Sequence, residues 1–144
     1  MVVFPTIEDG SEAVSAIIAA GIVPAALEMM DGKVCRAVEE AVHAGYPADA
    51  GSVLLIEVEG IDAGLDAVMQ QIADVCIAHR ASSIHQAASA AERARLWVGR
   101  KSALGAMGRI APNYFLEDGV VPPQTARNHD LRRNRGAEIR PAHR

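Results

Sequence analysis

Apolar and polar positions along this chain alternate with two different periods, and the changes of period mark out its elements. Met1-Val-Val-Phe4 is a short apolar run closed by Pro5, the mark of a strand. Thr6 and Asp9 then form a capping region. Beyond them Val14, Ile17, Ile18 and Gly21 fall on one helical face. Ile22 to Met30 is apolar again and reads as a strand, with Pro24 near its start, where a missing N–H is tolerated. Asp31 caps a second helix whose face is Val34, Cys35, Val38, Ala41 and Val42, with Arg36, Glu39 and Glu40 outside. Gly45 and Pro47 end it.

Ser52 to Glu59 has the period of two: Leu54, Ile56 and Val58 face one way, Glu57 and Glu59 the other. Leu65, Val68, Met69, Ile72, Val75 and Cys76 give a long helix that ends near His79 and Arg80. Ser82 to Gln86 is a short strand. An alanine-rich run from Ala87 then leads into a helix on which Arg93, Trp97, Arg100, Leu104 and Met107 share a face. Phe115 to Val121 reads as a last strand. The order β-α-β-α-β-α-β-α-β implies an α+β fold: a ferredoxin-like antiparallel sheet with helices packed on one face. The alternation at residues 52–59 implies a sheet partly open on its second face, a surface suited to pairing with another chain.

Composition narrows the class. Half of the residues are hydrophobic and only 3% aromatic, so the core is built from Ala, Val, Ile and Leu. With 144 residues the chain has room for one domain. The net charge of −4 gives no general case for nucleic acid. Six arginines against Asp130 and Glu138 make residues 127–144 basic. These residues lack apolar periodicity, so 124–144 is expected to be a basic disordered tail appended to a domain at 1–123. Two cysteines, Cys35 and Cys76, sit within helical patterns and read as reduced buried thiols. No signal peptide and no membrane span is evident in the apolar runs, and a cytoplasmic location is expected.

Arg100 stands out chemically. It lies on the stripe that carries Trp97 and Leu104, and a charge on an apolar face calls for an anion, either a carboxylate of the chain or a ligand. Glu92, Glu117 and Asp118 are the carboxylates near it in sequence. Glu28, an acid inside an apolar strand, is expected to pair with a cation on an opposing helix, without a catalytic role. No two histidines stand four apart on a helix, so His43, His79 and His85 do not read as metal ligands.

Trp97-x-x-Arg100-Lys101, Gly105-Ala-Met-Gly-Arg109 and Asp118-Gly-Val-Val-Pro122 resemble the C-terminal domain of FAD-linked D-2-hydroxy-acid dehydrogenases. The likeness is to the glycolate oxidase flavin-subunit group of the vanillyl-alcohol-oxidase superfamily. The blocks at 19–31 and 37–47 resemble the same family in the same order. The resemblance runs over residues 1–123 and implies a truncated member of that family. It implies an FAD held mainly by a domain outside this chain, and a partner that is that FAD-binding domain or subunit. It implies a small 2-hydroxy acid such as glycolate or D-lactate as substrate.

In such relatives an Arg placed as Arg100 is here meets the substrate carboxylate. Arg100, Lys101 and Asp118 are accordingly the substrate-binding candidates, with Asp118 open to the alternative of a turn former beside Gly119. The family's metal-binding runs, His-x-Gly-Asp-Gly-Asn-x-His and Glu-His-Gly, do not occur in this sequence. The expected function is the substrate domain of an FAD-dependent oxidoreductase, inactive by itself. The alternatives are a stand-alone small-molecule-binding or protein-interaction module, or a non-functional gene remnant.

Overall fold

The computed structural model describes residues 1–60, 62–111, 113, 115, 116 and 119, with 62 and 63 in backbone only. The chain divides into one unit of Met1–Tyr114 and another of Phe115–Arg144, and the elements below belong to the first. They are β1 (Val2–Phe4), α1 (Ile7–Ala19), β2 (Ala26–Asp31), α2 (Gly32–Val42), β3 (Ser52–Glu57), α3 (Asp62–Ala78), β4 (Ser83–Ile84), α4 (Ala90–Lys101) and α5 (Ala103–Ile110).

The four strands form one sheet in the order β2-β3-β1-β4, and each neighbouring pair is antiparallel. Two split β-α-β units generate this order. β1 and β2 flank β3, and β3 and β4 flank β1, with α1 and α3 as the crossovers. That is the ferredoxin-like arrangement, with α2 inserted between β2 and β3. The expected α+β class and antiparallel sheet are therefore present.

The expected confinement of helices to one face holds for the ferredoxin-like core and is exceeded by the rest of the chain. Val2, Phe4 and Leu54 pack with Ala13 and Ile17 of α1 and Ile72 and Cys76 of α3. The alternate residues Val3, Met30, Val53 and Leu55 pack on the other face with Cys35 and Val38 of α2, Leu96 of α4 and Ala106 of α5. Side chains of a strand alternate between faces, so β3, buried at residues 52–55, is apolar on both. The inserted α2 and the trailing α4 and α5 close the face expected to stay open.

Local chemistry sets the boundaries. Thr6 caps α1 by accepting from the Asp9 N–H at 3.1 Å, and its hydroxyl donates to Asp9 Oδ2 at 2.7 Å. Asp9 is itself buried, 3% exposed. Its Oδ1 accepts from Arg80 Nε at 2.7 Å, and Arg80 Nη2 reaches the same oxygen. Arg80 has a positive φ of 65° just past the end of α3, so this carboxylate ties the start of one crossover helix to the end of the other.

β2 begins at Ala26 rather than Ile22. Gly21 turns at φ 77° and the Ile22 N–H goes back to the Ile17 carbonyl, so Ile22 to Ala25 serve the helix exit. The single helix expected through residues 93–107 is two helices meeting at Ser102. The Ser102 N–H is shared between the carbonyls of Val98 and Gly99. As a result Leu104 leaves the Arg93–Trp97–Arg100 stripe and is 48% exposed. The expected strand at 115–121 falls mainly outside the described residues, as does the tail at 124–144.

Candidate anion site on helix α4

The helix that carries the candidate residues is fixed at both ends by side chains. At its start Ser89 accepts from the Glu92 N–H at 3.2 Å, and Glu92 Oε2 accepts from the Ala88 N–H at 2.8 Å. This is a variant of the capping box in which the Glu reaches the residue before the cap rather than the cap N–H itself. Glu92 Oε1 also meets His85 Nε2 at 2.9 Å and Arg95 at 3.6 Å. The Ala88 hydrogen bond, then the His85 contact, holds the Glu92 carboxyl below its usual range.

Along its buried side, the Leu96 carbonyl accepts from the Tyr46 hydroxyl at 2.5 Å. Gly99 lets the helix backbone lie directly against Ala44 and the Tyr46 ring. Burial, with Cys35 nearby, pushes the Tyr46 phenol up to about 12. It is a neutral donor at any physiological pH.

This docking turns Arg93, Trp97 and Arg100 toward the sheet. Arg93 Nη1 meets Glu57 Oε1 of β3 at 3.0 Å. One helical turn further on, Trp97 is half-buried against the core. After another turn, Arg100 meets Glu28 of β2: Nε lies 3.1 Å and Nη2 2.9 Å from Glu28 Oε2. The expectation that Glu28 pairs with a cation on an opposing helix is met. The carboxylate that answers Arg100 is thus Glu28, far away in sequence, while Glu92 serves the cap and His85.

The pair is half-exposed, with 38% of the Arg100 side chain and 42% of Glu28 open to solvent. Among the described residues Arg100 Nη1 and Glu28 Oε1 carry no hydrogen bond. Arg100 and Lys101 also sit in the last turn of α4, where the helix dipole favours cations. Lys101 is exposed and joins no ion pair among the described residues. Asp118 lies outside the described residues. Of the three substrate-binding candidates, the structure therefore gives a defined geometry to Arg100.

Two adjoining cavities of about 320 and 300 Å³ open between α3 and the sheet. They share Met1, Ile56, Asp66, Met69, His85 and Gln86, and the second reaches Arg93 and Trp97 on α4. Neither of these two cavities is lined by Arg100 or Glu28. Each is near the lower end of the roughly 300–1,000 Å³ of small-molecule pockets. No group of three or more His, Cys, Asp or Glu side chains among them is placed to hold a metal ion. Both cysteines are free and buried, and burial raises their thiols to about 11. No helix among the described residues is long and apolar enough to cross a membrane.

The two Arg–Glu pairs and the Tyr46–Leu96 bond were not specified by sequence spacing. The Ser89-x-x-Glu92 spacing is the local signal by which the start of α4 could have been found. Nothing local pointed from Tyr46 to a carbonyl fifty residues away.

Comparison with known proteins gives the family. Residues 1–129 match the family described as FAD linked oxidases, C-terminal domain. The glycolate oxidase subunit GlcD of Escherichia coli K12 is 42% identical over 119 residues, covering 83% of this chain and 24% of that protein. The subunit of the same name from Bacillus subtilis 168 is 35% identical over 122 residues, covering 85% of this chain and 26% of that protein. The chain thus spans about a quarter of the length of these relatives.

Proposed function

The chain belongs to the family of C-terminal domains of FAD linked oxidases, and on that premise we propose that it is the substrate-positioning domain of a flavoprotein oxidoreductase. The substrate is a small 2-hydroxy acid, glycolate or D-lactate, and the setting is the cytoplasm. FAD is held mainly by a domain or subunit outside this chain, a reading supported by the match to the C-terminal domain of FAD linked oxidases. The flavin supplies the hydride acceptor. What this chain supplies is binding and orientation.

The observation that carries this reading is Arg100. Its guanidinium is held on its Nε side by Glu28 and has its terminal Nη1 unengaged among the described residues. A planar guanidinium with a free end grips a carboxylate through parallel N–H···O bonds. Lys101, the next residue, adds positive charge at the same helix end. Asp118 belongs to the proposed substrate pocket through the family resemblance alone.

Co-purification tests the reading. The chain is expressed alone and together with the FAD-binding portion of a GlcD relative, and the visible flavin spectrum and elution volume are recorded. We expect a colourless chain without turnover when alone, and a yellow complex showing glycolate-dependent dye reduction when paired. Flavin retained by the lone chain, or failure of the two to associate, would overturn the proposal.

A further inference from the structure

We propose that Glu28 is the residue that sets the charge class of ligand at Arg100, so that the site takes a hydroxy monocarboxylate and rejects dicarboxylates. The proposal rests on the reading of Arg100 as a carboxylate site and assigns its selectivity. A guanidinium offers two edges to a carboxylate: a side edge of Nε and one Nη, and an end edge of Nη1 and Nη2. Glu28 occupies the side edge, with Oε2 accepting from both Nε at 3.1 Å and Nη2 at 2.9 Å. An incoming carboxylate is left the end edge, beside a second carboxylate that stays fixed.

Two consequences follow for the ligand. Glu28 Oε1, which accepts no hydrogen bond among the described residues, is an acceptor waiting for a hydroxyl. A 2-hydroxy acid fits this pairing: its carboxylate lies on Arg100 and its 2-hydroxyl donates to Glu28. A second carboxylate on the ligand would instead bring an anion against the Glu28 anion. Two like charges roughly 4–5 Å apart at a half-exposed surface repel by more than in bulk water and less than in an interior, which corresponds to about tenfold in affinity. The Arg93–Glu57 pair on the same stripe is a matched control, because Arg93 uses only Nη1 and is not assigned to the anion site.

The test uses the full chain, with binding followed by NMR on the Trp97 indole N–H, the single Trp of the sequence, and on the Arg100 Nε–H. Glycolate and tartronate, the same hydroxy acid with a second carboxylate, are titrated separately into the native chain, Glu28→Gln and Glu57→Gln. We expect the native chain and Glu57→Gln to prefer glycolate, and Glu28→Gln to lose about tenfold of that preference. Glu28→Asp keeps the charge while shortening the side chain. It should retain discrimination, which keeps the proposal testable should Glu28→Gln not fold. An unchanged glycolate-to-tartronate ratio in Glu28→Gln, with glycolate binding still abolished by Arg100→Ala, would overturn this inference and leave the carboxylate-site reading standing. Absence of glycolate binding in every variant would overturn both.

Discussion

Replacing Gly99 with alanine should destabilise the protein, although alanine is the better helix former. Gly99 lies inside α4, and a Gly-to-Ala change in a helix interior is ordinarily worth up to about 1 kcal/mol in favour of alanine. Here an added Cβ would stand 2.6 Å from the Ala44 Cβ, 2.6 Å from the Tyr46 hydroxyl and 2.8 Å from its ring carbon Cζ. Carbon atoms in good contact sit at about 3.5–4.0 Å. The neighbours cannot move aside cheaply. Ala44 and Tyr46 are buried. Their loop is pinned by the Glu39 carboxylate, which accepts from the Gly45 and Tyr46 N–H groups at 2.8 and 2.9 Å. The Tyr46 hydroxyl is bonded to α4 itself at Leu96.

Overpacking of this kind costs about 1–3 kcal/mol, and displacing the Tyr46 hydroxyl adds roughly another 1–2 kcal/mol for a buried group losing its partner. After the helix gain of up to about 1 kcal/mol is subtracted, Gly99→Ala should lower stability by about 1–4 kcal/mol. Gly105, in α5, has nothing within 4 Å of its would-be Cβ. There the same change should raise stability by roughly 0.5–1 kcal/mol. Urea unfolding followed by Trp97 fluorescence and far-UV circular dichroism measures both, with the midpoint moving at constant slope. In a Tyr46→Phe background the cost of Gly99→Ala should fall, because the nearest oxygen is gone. A Gly99→Ala midpoint at or above that of Gly105→Ala would refute the close docking of α4 on the Tyr46 loop.

Two further outcomes follow from the buried groups. The Thr6 hydroxyl bond and the Arg80 guanidinium depress the Asp9 pKa below its ordinary 3.8, so the folded state favours the ionised form. That stabilisation is complete above the unfolded value near 4 and is lost as pH falls through the lower folded value. The urea midpoint should therefore drop between about pH 5 and pH 2, and Asp9→Asn should flatten the acid limb. An unchanged acid limb in that variant would remove Asp9 as its source. Cys35 and Cys76, buried and raised to about 11, should be silent toward a thiol reagent at pH 8 in the native chain and both titrate in denaturant. Rapid native labelling would show that one of the two helix faces opens.

The fold was legible wherever hydrophobic period and turn chemistry agreed. Thr6 with Asp9 and Asp31 ahead of α2 each mark a helix start by local chemistry, whereas α2 ends at Val42, before Gly45 and Pro47, with His43 rather than Gly45 as its left-handed cap. The β3 alternation was read as one buried face because Glu57 interrupts it. Val53 and Leu55 nonetheless lie under α2, α4 and α5, which the pattern of β3 alone does not reveal. The break at Ser102 was hidden because Arg93, Trp97, Arg100 and Leu104 keep helical spacing across it. Backbone hydrogen bonding, rather than side-chain period, divides the helix. At the candidate site the sequence identified Arg100 as needing an anion, and Glu28 as an acid needing a cation. It could not join them, because their contact depends on β2 and α4 meeting across 72 residues.

The strength of the contacts separates what holds α4 in place from what it presents. Half-exposed ion pairs contribute about 0–1 kcal/mol each, and Arg93–Glu57 and Arg100–Glu28 are both of that kind. The helix is held instead by buried Leu96, by half-buried Trp97, by Gly99 against the Tyr46 ring and by the Tyr46–Leu96 hydrogen bond. Burying a side chain of the size of Leu contributes about 1.5–3 kcal/mol, more than either ion pair. Arg100 is therefore not required for the docking of the helix that carries it. Its substitution by alanine should leave the unfolding midpoint nearly unchanged, which makes any accompanying loss of carboxylate binding a statement about the anion site and not about the fold.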